Sequence, residues 1–242
     1  YDEYINAVSN SAAKQNGIAF GNLVAAEMIK LRTGDGVDVT ETYQPATKAG
    51  VYIPTVIPLG STCSIVTPWA LKSVSQFRPS APYRLSSEQY ARDLNEVQAM
   101  GGKKSTKRSE EQTTIAKFWE YTGPGTYSPI ARKWAAVAKL DLVDSARLFA
   151  LFAIATADAY LAVFDAKYEY NFWRPITAIR NGADDGNRAT EADRSWLPLI
   201  ETPMHPEYPC AHCIASSTAA NVLMRILKSS KSVEFELASP FT

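Results

Sequence analysis

The 242-residue chain carries 25 Lys plus Arg and 25 Asp plus Glu, so its formal net charge at pH 7 is zero. A chain of this length buries a substantial core without disulfides or metals, and its balanced charge provides no basic field that would hold a nucleic acid backbone. The composition therefore predicts a soluble globular protein that has no nucleic acid partner and binds any anion through a local cluster.

The first part of the chain predicts a helix followed by an irregular segment. Apolar residues at helical spacing indicate a helix over Ile18 to Leu31 that stops at Gly34. Residues 37–85 then contain six of the fourteen prolines, a density that neither a helix nor a central strand tolerates. Because this segment is also rich in aromatic and aliphatic residues, we predict that it packs over the body of the protein.

Further helix starts recur after this segment. Ser86 with Gln89, and Ser109 with Gln112, have the form of capping boxes, and "TGPGTYSP" is interpreted as a turn before the next helix. Three predicted helices cover about 87–100, 110–121 and 130–139. Two more are predicted, one from a cap at Asp141 or Asp144 to Tyr168 and one from Ala211 to Leu227. With no convincing strand, the sequence predicts an all-α fold in a single domain, residues 1–242.

The longest nearly apolar run is "LFALFAIATADAYLAVF", from Leu148 to Phe164. It falls short of the roughly 20 uninterrupted apolar residues that cross a membrane, and Asp158 lies within it. We predict a buried helix and no membrane span.

Two cations follow this run. Lys167 and Arg174 are seven residues apart, which is two helical turns, so both side chains can share one face about 10 Å apart. The proline after Arg174 places it at the end of the element, where carbonyl groups favour positive charge. An anion site is one interpretation; a lysine and an arginine with purely structural roles are the alternative.

Both histidines of the chain lie in "HPEYPCAHC", from His205 to Cys213. Pro209 suits the entry to a helix, which places the unpaired N–H groups of Cys210, Ala211 and His212 at a helix start. Such a start receives an oxyanion readily, and His212 would stand beside the ion as a proton donor or acceptor.

Other chemistries for these cysteines are weighed against the anion site. A zinc site would use Cys63, Cys210, Cys213 and one histidine as ligands. Helical spacing is expected to direct the thiols of Cys210 and Cys213 apart, so no zinc is expected. A C-x-x-C redox pair is typically preceded by a strand, which is absent here. A cysteine phosphatase is excluded because Ser216 and Ala219 occupy the positions where it needs arginine.

Together, K-x6-R-P and a later P-S-G-H-like segment resemble the vanadium haloperoxidase and type 2 phosphatidic acid phosphatase superfamily. The matching residues are Lys167, Arg174, Pro175, Pro209, Cys210, Ala211 and His212. Wider stretches such as "ATADAYLAVFDAKYEYNFWRPITAIR" and "FRPSAPYRLSSEQYARDLNEV" resemble its haloperoxidase-like branch.

The resemblance implies a helical bundle around a tetrahedral oxyanion, which is either a vanadate cofactor or the phosphate of a substrate. Lys167 and Arg174 would bind the oxyanion with Cys210 and Ala211, and His212 would be the catalytic acid or base. It implies peroxide and a halide as small-molecule partners, and the oxidation of the halide to a hypohalous acid equivalent. An acid phosphatase is the related alternative.

The sequence departs from the superfamily pattern in two ways. Cys210 and Ala211 replace its serine and glycine, and its third motif, an Arg followed by the His that ligates vanadium or attacks phosphorus, is not found before Thr242. We therefore expect a chain that is incomplete at its C-terminus. The alternative is a non-enzymatic storage, defence or binding protein. A secreted or extracytoplasmic location is preferred, and a homo-oligomer is allowed.

Overall fold

The structure is a computed structural model that describes residues 1–227 and 236–239. It divides the chain into two compact units, Tyr1–Val39 and Thr40–Thr242. The first unit contains α1 (Asp2–Ala7) and α2 (Ala12–Arg32). The side chain of Ser11 accepts the N–H of Lys14 at 3.2 Å, and this cap starts α2 six residues before the predicted helix.

The second unit is built from helices. They are α3 (Glu88–Gly101), α4 (Glu110–Phe118), α5 (Pro124–Val137), α6 (Leu142–Tyr170), α7 (Pro175–Arg180) and α8 (Ala211–Leu227), with 3-10 helices at Ser61–Ile65 and Gly182–Asp184. Among residues 1–227 and 236–239 there is no β-strand, and two isolated bridges pair Val51 with Phe172 and Gly102 with Pro198. The all-α prediction is confirmed.

The predicted helix starts have mixed outcomes. The capping box of Ser109 and Gln112 is present. The box predicted at Ser86 is wrong: the N–H of Ser87 closes a turn onto Arg84, and it is Ser87 that caps α3.

A capping side chain marks the start of α6, and a proline marks the start of α5. Asp141 caps α6 by accepting the N–H of Asp144 at 2.8 Å, which decides between the two predicted caps. The turn predicted at "TGPGTYSP" is wrong, because α5 already starts at Pro124. Proline suits the first helical position, where its missing N–H costs no hydrogen bond.

Helices α5, α6 and α8 enclose one hydrophobic core. Its buried residues are Tyr127, Ala131, Ala135, Leu148, Phe152, Ala215, Ala219 and Leu223. A second cluster joins α3 to α7 through Tyr90, Leu94, Trp173, Ala178, Ile179 and Trp196. The first cluster holds the first half of α6 against α5 and α8, and the second holds α7 against α3.

Helix α6 is, within the described residues, the one helix long and apolar enough to cross a membrane by length and composition alone. The core helix of a soluble protein meets the same criteria. Within the predicted run from Leu148 to Phe164, Leu148 and Phe152 are buried, whereas Leu151 is exposed; Leu142 and Val143, which precede the run, are exposed as well. Contacts cover the side on which the neighbouring helices pack and leave the start of α6 uncovered.

Three carboxylate contacts hold the proline-rich segment against α6. Buried Asp158 accepts the consecutive backbone N–H groups of Trp69, Ala70 and Leu71 at 2.6–2.9 Å. Arg78 donates to Asp165 and lies 3.1 Å from a carboxylate oxygen of Glu169. Together with backbone hydrogen bonds from Tyr52 to Asn171 and from Leu59 to Met204, these contacts hold the segment in place.

Candidate functional site

Lys167 lies in the last turn of α6 with 1% of its surface exposed. Its Nζ donates hydrogen bonds to the carbonyl oxygens of Pro206 at 2.7 Å and Glu207 at 2.9 Å. Burial is the main reason that the pKa of Lys167 is lowered to about 8; Arg174 acts in the same direction, whereas Glu207 and Cys210 oppose it. An ammonium group has three N–H donors, so these two carbonyls leave one donor for a ligand.

Arg174 is the N-cap residue of α7, and Pro175 takes the first helical position. Its Nη1 lies 2.7 Å from Oε2 of Glu207, and the Arg174 side chain is 13% exposed. The buried Nε of Arg174 has no hydrogen-bond partner in the part of the chain that the structure describes. A carboxylate thus occupies one edge of the guanidinium, and the Nε donor remains unused.

The start of α8 contains further unused donors. Cys210 precedes the helix, and its Sγ accepts the N–H of Cys213 at 3.3 Å, as an N-cap side chain does. No described residue accepts the N–H groups of Ala211 and His212. The expectation that the thiols of Cys210 and Cys213 point apart is wrong, because Cys210 lies outside the helix and its side chain folds back over the first turn.

His212 has an exposed side chain that contacts the end of α4. Its Nε2 lies 2.8 Å from the carbonyl oxygen of Trp119. Because a carbonyl can only accept a hydrogen bond, Nε2 carries the proton and Nδ1 of the neutral ring keeps a lone pair. The contact therefore fixes both the orientation of the ring and its tautomer.

Two cavities adjoin these residues. Arg174 and His212 both line one of about 590 Å³, whose wall also includes Trp119, Glu201 and Pro203. Glu207 and Cys210 line another of about 500 Å³, whose wall is largely aromatic and includes Tyr90, Trp173 and Tyr208. Lys167 is bonded to the loop that carries Glu207. The structure thus brings Arg174 and His212 to one cavity, and it places Cys210 on the wall of the other.

Three comparisons agree on the relatives of this chain. Residues 147–241 match the family model described as "VCPO second helical-bundle domain". Vanadium chloroperoxidase from Curvularia inaequalis is 33% identical over an alignment of 156 residues. The alignment covers 52% of this chain and 25% of that protein. The crystal structure of a bacterial vanadium-dependent iodoperoxidase matches with a TM-score of 0.71 and 27% identity, over 88% of this chain and 54% of that one.

All three matches are to vanadium haloperoxidases, and they support a relationship of this chain to the vanadium haloperoxidase and type 2 phosphatidic acid phosphatase superfamily. The observed bundle is the helical fold of the haloperoxidases. The chain spans about a quarter of the length of the curated chloroperoxidase and about half of the iodoperoxidase chain.

The superfamily motifs point to Lys167, Arg174 and His212 but not to two other residues of the site. His205 is largely buried beside Phe164, with Nδ1 3.1 Å from the carbonyl oxygen of Pro206. Burial, followed by the charge of Lys167, lowers the pKa of His205 to about 4. Glu207 pairs with Arg174. The sequence signal available for both was their position in the short segment that also holds His212.

The donors at this site suit an oxyanion of the kind that the superfamily binds. A guanidinium with a free Nε, an ammonium with one spare N–H, and two unpaired N–H groups at a helix start are all hydrogen-bond donors. In the described residues, no group of three or more His, Cys, Asp and Glu side chains is arranged to hold a metal ion. Vanadate is itself an oxyanion, so these donors fit it as well as they fit phosphate.

Proposed function

We propose that Lys167, Arg174 and the start of α8 bind a tetrahedral oxyanion, vanadate or phosphate, and that the complete protein is a vanadium haloperoxidase-like enzyme. The main support is the Arg174 guanidinium, which pairs with a carboxylate and retains an unused buried Nε. The paired carboxylate carries a negative charge, as a bound oxyanion would. An oxyanion that displaces Glu207 would gain Arg174 as a charge-assisted donor.

Each residue has a separate role in this proposal. Lys167 and Arg174 hold the anion by charge and hydrogen bonds, and Ala211 contributes its backbone N–H. Cys210 stands where the superfamily has a serine, and its thiol is a weaker donor than a hydroxyl. When bound, vanadate supplies the centre at which peroxide is activated to oxidise a halide.

His212 is the proposed acid or base. With Nε2–H directed to the carbonyl oxygen of Trp119, Nδ1 is the atom that takes up a proton. The same carbonyl then stabilises the imidazolium, because it lies at the C-terminal end of α4, where unpaired carbonyls favour positive charge. His212 would thus hold and return a proton without changing its orientation.

Anion titration of wild type and of Arg174→Ala tests the site. We expect phosphate and vanadate to bind wild type, to bind less tightly as salt increases, and to lose affinity by roughly tenfold or more without the guanidinium. Arg108→Ala is the matched control, because Arg108 lines the same cavity but donates to Thr113 and backbone carbonyls. Equal loss in both variants, or no loss in either, would contradict the proposal.

A non-enzymatic anion-binding protein is the second candidate. It is favoured by the Glu207 side chain on Arg174, which competes with a ligand, and by Cys210 and Ala211 in place of the more usual serine and glycine. The two candidates differ in turnover: after vanadate reconstitution, an enzyme oxidises bromide with peroxide, whereas a binding protein only binds the anion. A phosphomonoester assay separates an acid phosphatase from both.

A further inference from the structure

Cys210 and Cys213 form a contacting pair at the start of α8. The N–H of Cys213 donates to Sγ of Cys210 at 3.3 Å, and the side chain of Cys210, followed by burial, raises the pKa of Cys213. Cys210 lies just before α8 and not within it, and its Sγ folds back over the first helical turn to reach the N–H of Cys213. The pair is therefore prearranged for a disulfide.

Both thiols are reduced and exposed in the structure. Cys210 lies close enough to Lys167 for the two groups to interact electrostatically, and this interaction acts to raise the pKa of Lys167. Sγ of Cys210 accepts the backbone N–H of Cys213, and the pKa of Cys213 is raised, so Cys213 is the thiol that keeps its proton. This asymmetry separates an attacking thiol from a resolving thiol.

We propose that Cys210 and Cys213 are a thiol oxidation site whose substrate is hydrogen peroxide and whose product is an intramolecular disulfide. The Cys210 thiolate attacks one peroxide oxygen; the O–O bond breaks, a sulfenic acid forms and hydroxide leaves. Cys213 then attacks the sulfenic sulfur; the S–S bond forms, the S–O bond breaks and the oxygen leaves as water with the Cys213 proton. Two thiols are oxidised as one peroxide is reduced.

The third cysteine is an internal reference. Cys63 lies in the 3-10 helix Ser61–Ile65 and is partly buried. Burial, together with the negative charge of Asp165, raises its pKa to about 11. Because the thiolate is the reactive species, Cys63 should stay reduced under conditions that oxidise the pair.

The test treats the reduced protein with stoichiometric hydrogen peroxide, followed by alkylation of free thiols and peptide mass spectrometry. We expect wild type and Cys63→Ser to lose two free thiols and to yield a Cys210–Cys213 disulfide that dithiothreitol reverses. Cys213→Ser should stop at a sulfenic acid on Cys210, which dimedone captures. Cys210→Ser should consume peroxide at least about tenfold more slowly.

Several results would overturn the oxidation site. These are retention of all three thiols in wild type, a disulfide that involves Cys63 or a second molecule, or equal peroxide consumption by wild type and Cys210→Ser. Circular dichroism checks that each variant is folded, and serine at an N-cap position is itself favourable. The inference does not depend on anion binding: a failed phosphate titration would contradict the proposed function and leave the disulfide chemistry intact.

Discussion

The carboxylate of Glu207 and the guanidinium of Arg174 form the contact on which anion access depends. The Glu207 side chain is 41% exposed and that of Arg174 is 13% exposed. The Glu207 carboxylate can therefore move away while the Arg174 guanidinium stays in place. An ion pair with one partner this exposed contributes about 1 kcal/mol or less. Glu207 is therefore a competitor that an oxyanion can displace at low cost.

Removing the charge of Glu207 should strengthen anion binding. We expect Glu207→Gln to bind phosphate about fivefold more tightly than wild type, which corresponds to the roughly 1 kcal/mol of the ion pair. Isothermal titration at constant ionic strength measures this change. Glu201→Gln is the control, since Glu201 lines the same cavity as Arg174. Unchanged or weaker binding by Glu207→Gln would mean that the carboxylate does not compete.

His205 should make the fold sensitive to acid. Its pKa is lowered from 6.5 to about 4, first by burial and then by Lys167, so below pH 6.5 the unfolded chain binds a proton that the folded chain does not. The free energy of unfolding therefore falls as the pH drops from 6.5 toward 4.

At pH 5 this effect amounts to about 1–2 kcal/mol after allowance for partial exposure. His205→Gln should remove it, so that the variant loses less stability between pH 7 and pH 5 than wild type. Denaturant unfolding at the two pH values measures the difference. His212→Gln removes the other, exposed histidine and is the matched control. An identical pH dependence in wild type and His205→Gln would disprove the assignment.

Spacing and motif selected Lys167 and Arg174 as candidates for the site, but they did not predict how these residues are bonded. Lys167 and Arg174 are interpreted from sequence as two cations for one anion. In the structure, Lys167 directs two of its three donors to the carbonyls of Pro206 and Glu207. The path of that loop depends on contacts with α6 and Phe172, which are distant in sequence. The contacts of Glu207 and His205 could therefore not be predicted without the structure of the loop.

At the scale of elements, sequence patterns predicted a helix start correctly where a side chain bonds to a backbone N–H group of the adjacent turn. The Ser109 box and the Asp141 cap follow from residues within one turn of each helix start. Similarly, the predicted start of α8 at Ala211 agrees with the structure. The position of the irregular segment could not be predicted from sequence. In the sequence Asp158 only interrupts an apolar helix, and its bonds to the N–H groups of the segment become visible in the structure alone.

The contact of Asp158 with the segment should contribute strongly to stability. Three charge-assisted hydrogen bonds converge on this buried carboxylate, and an amide cannot accept all three equally well. We expect Asp158→Asn to lower the free energy of unfolding by about 2–4 kcal/mol. Asp144→Asn on the same helix is exposed and should cost at most about 1 kcal/mol, through the helix dipole.

Denaturant unfolding compares the two variants. Limited proteolysis adds a local readout, since the loss of Asp158 should expose bonds near Trp69 to cleavage. Equal stability of the Asp158 and Asp144 variants would show that the segment is held by its apolar contacts alone.

For the molecule as a whole, the proposed chemistry requires a histidine that the 242 residues do not provide. The chain has two histidines. His212 is the proposed acid or base, and His205 is largely buried, with Nδ1 3.1 Å from the carbonyl oxygen of Pro206. Neither is suited to ligate vanadium or to attack phosphorus while His212 moves the proton. Without that ligand, vanadate would be held only by hydrogen bonds and charge.

Residues 1–242 alone should therefore bind phosphate or vanadate weakly and show little or no turnover. The phosphatase reaction would lack its covalent step, and halide oxidation would lack the ligand that fixes the vanadate. The test compares residues 1–242 with a form extended at the C-terminus by a segment that carries a further Arg and His, using peroxide and bromide after vanadate reconstitution in one assay and a phosphomonoester in the other. Only the longer protein should turn over, and His212→Ala should reduce its rate by about 10²–10⁴ while anion binding persists. Robust turnover by residues 1–242, abolished by His212→Ala, would instead mean that Lys167, Arg174 and His212 suffice for the chemistry and that the additional histidine is dispensable.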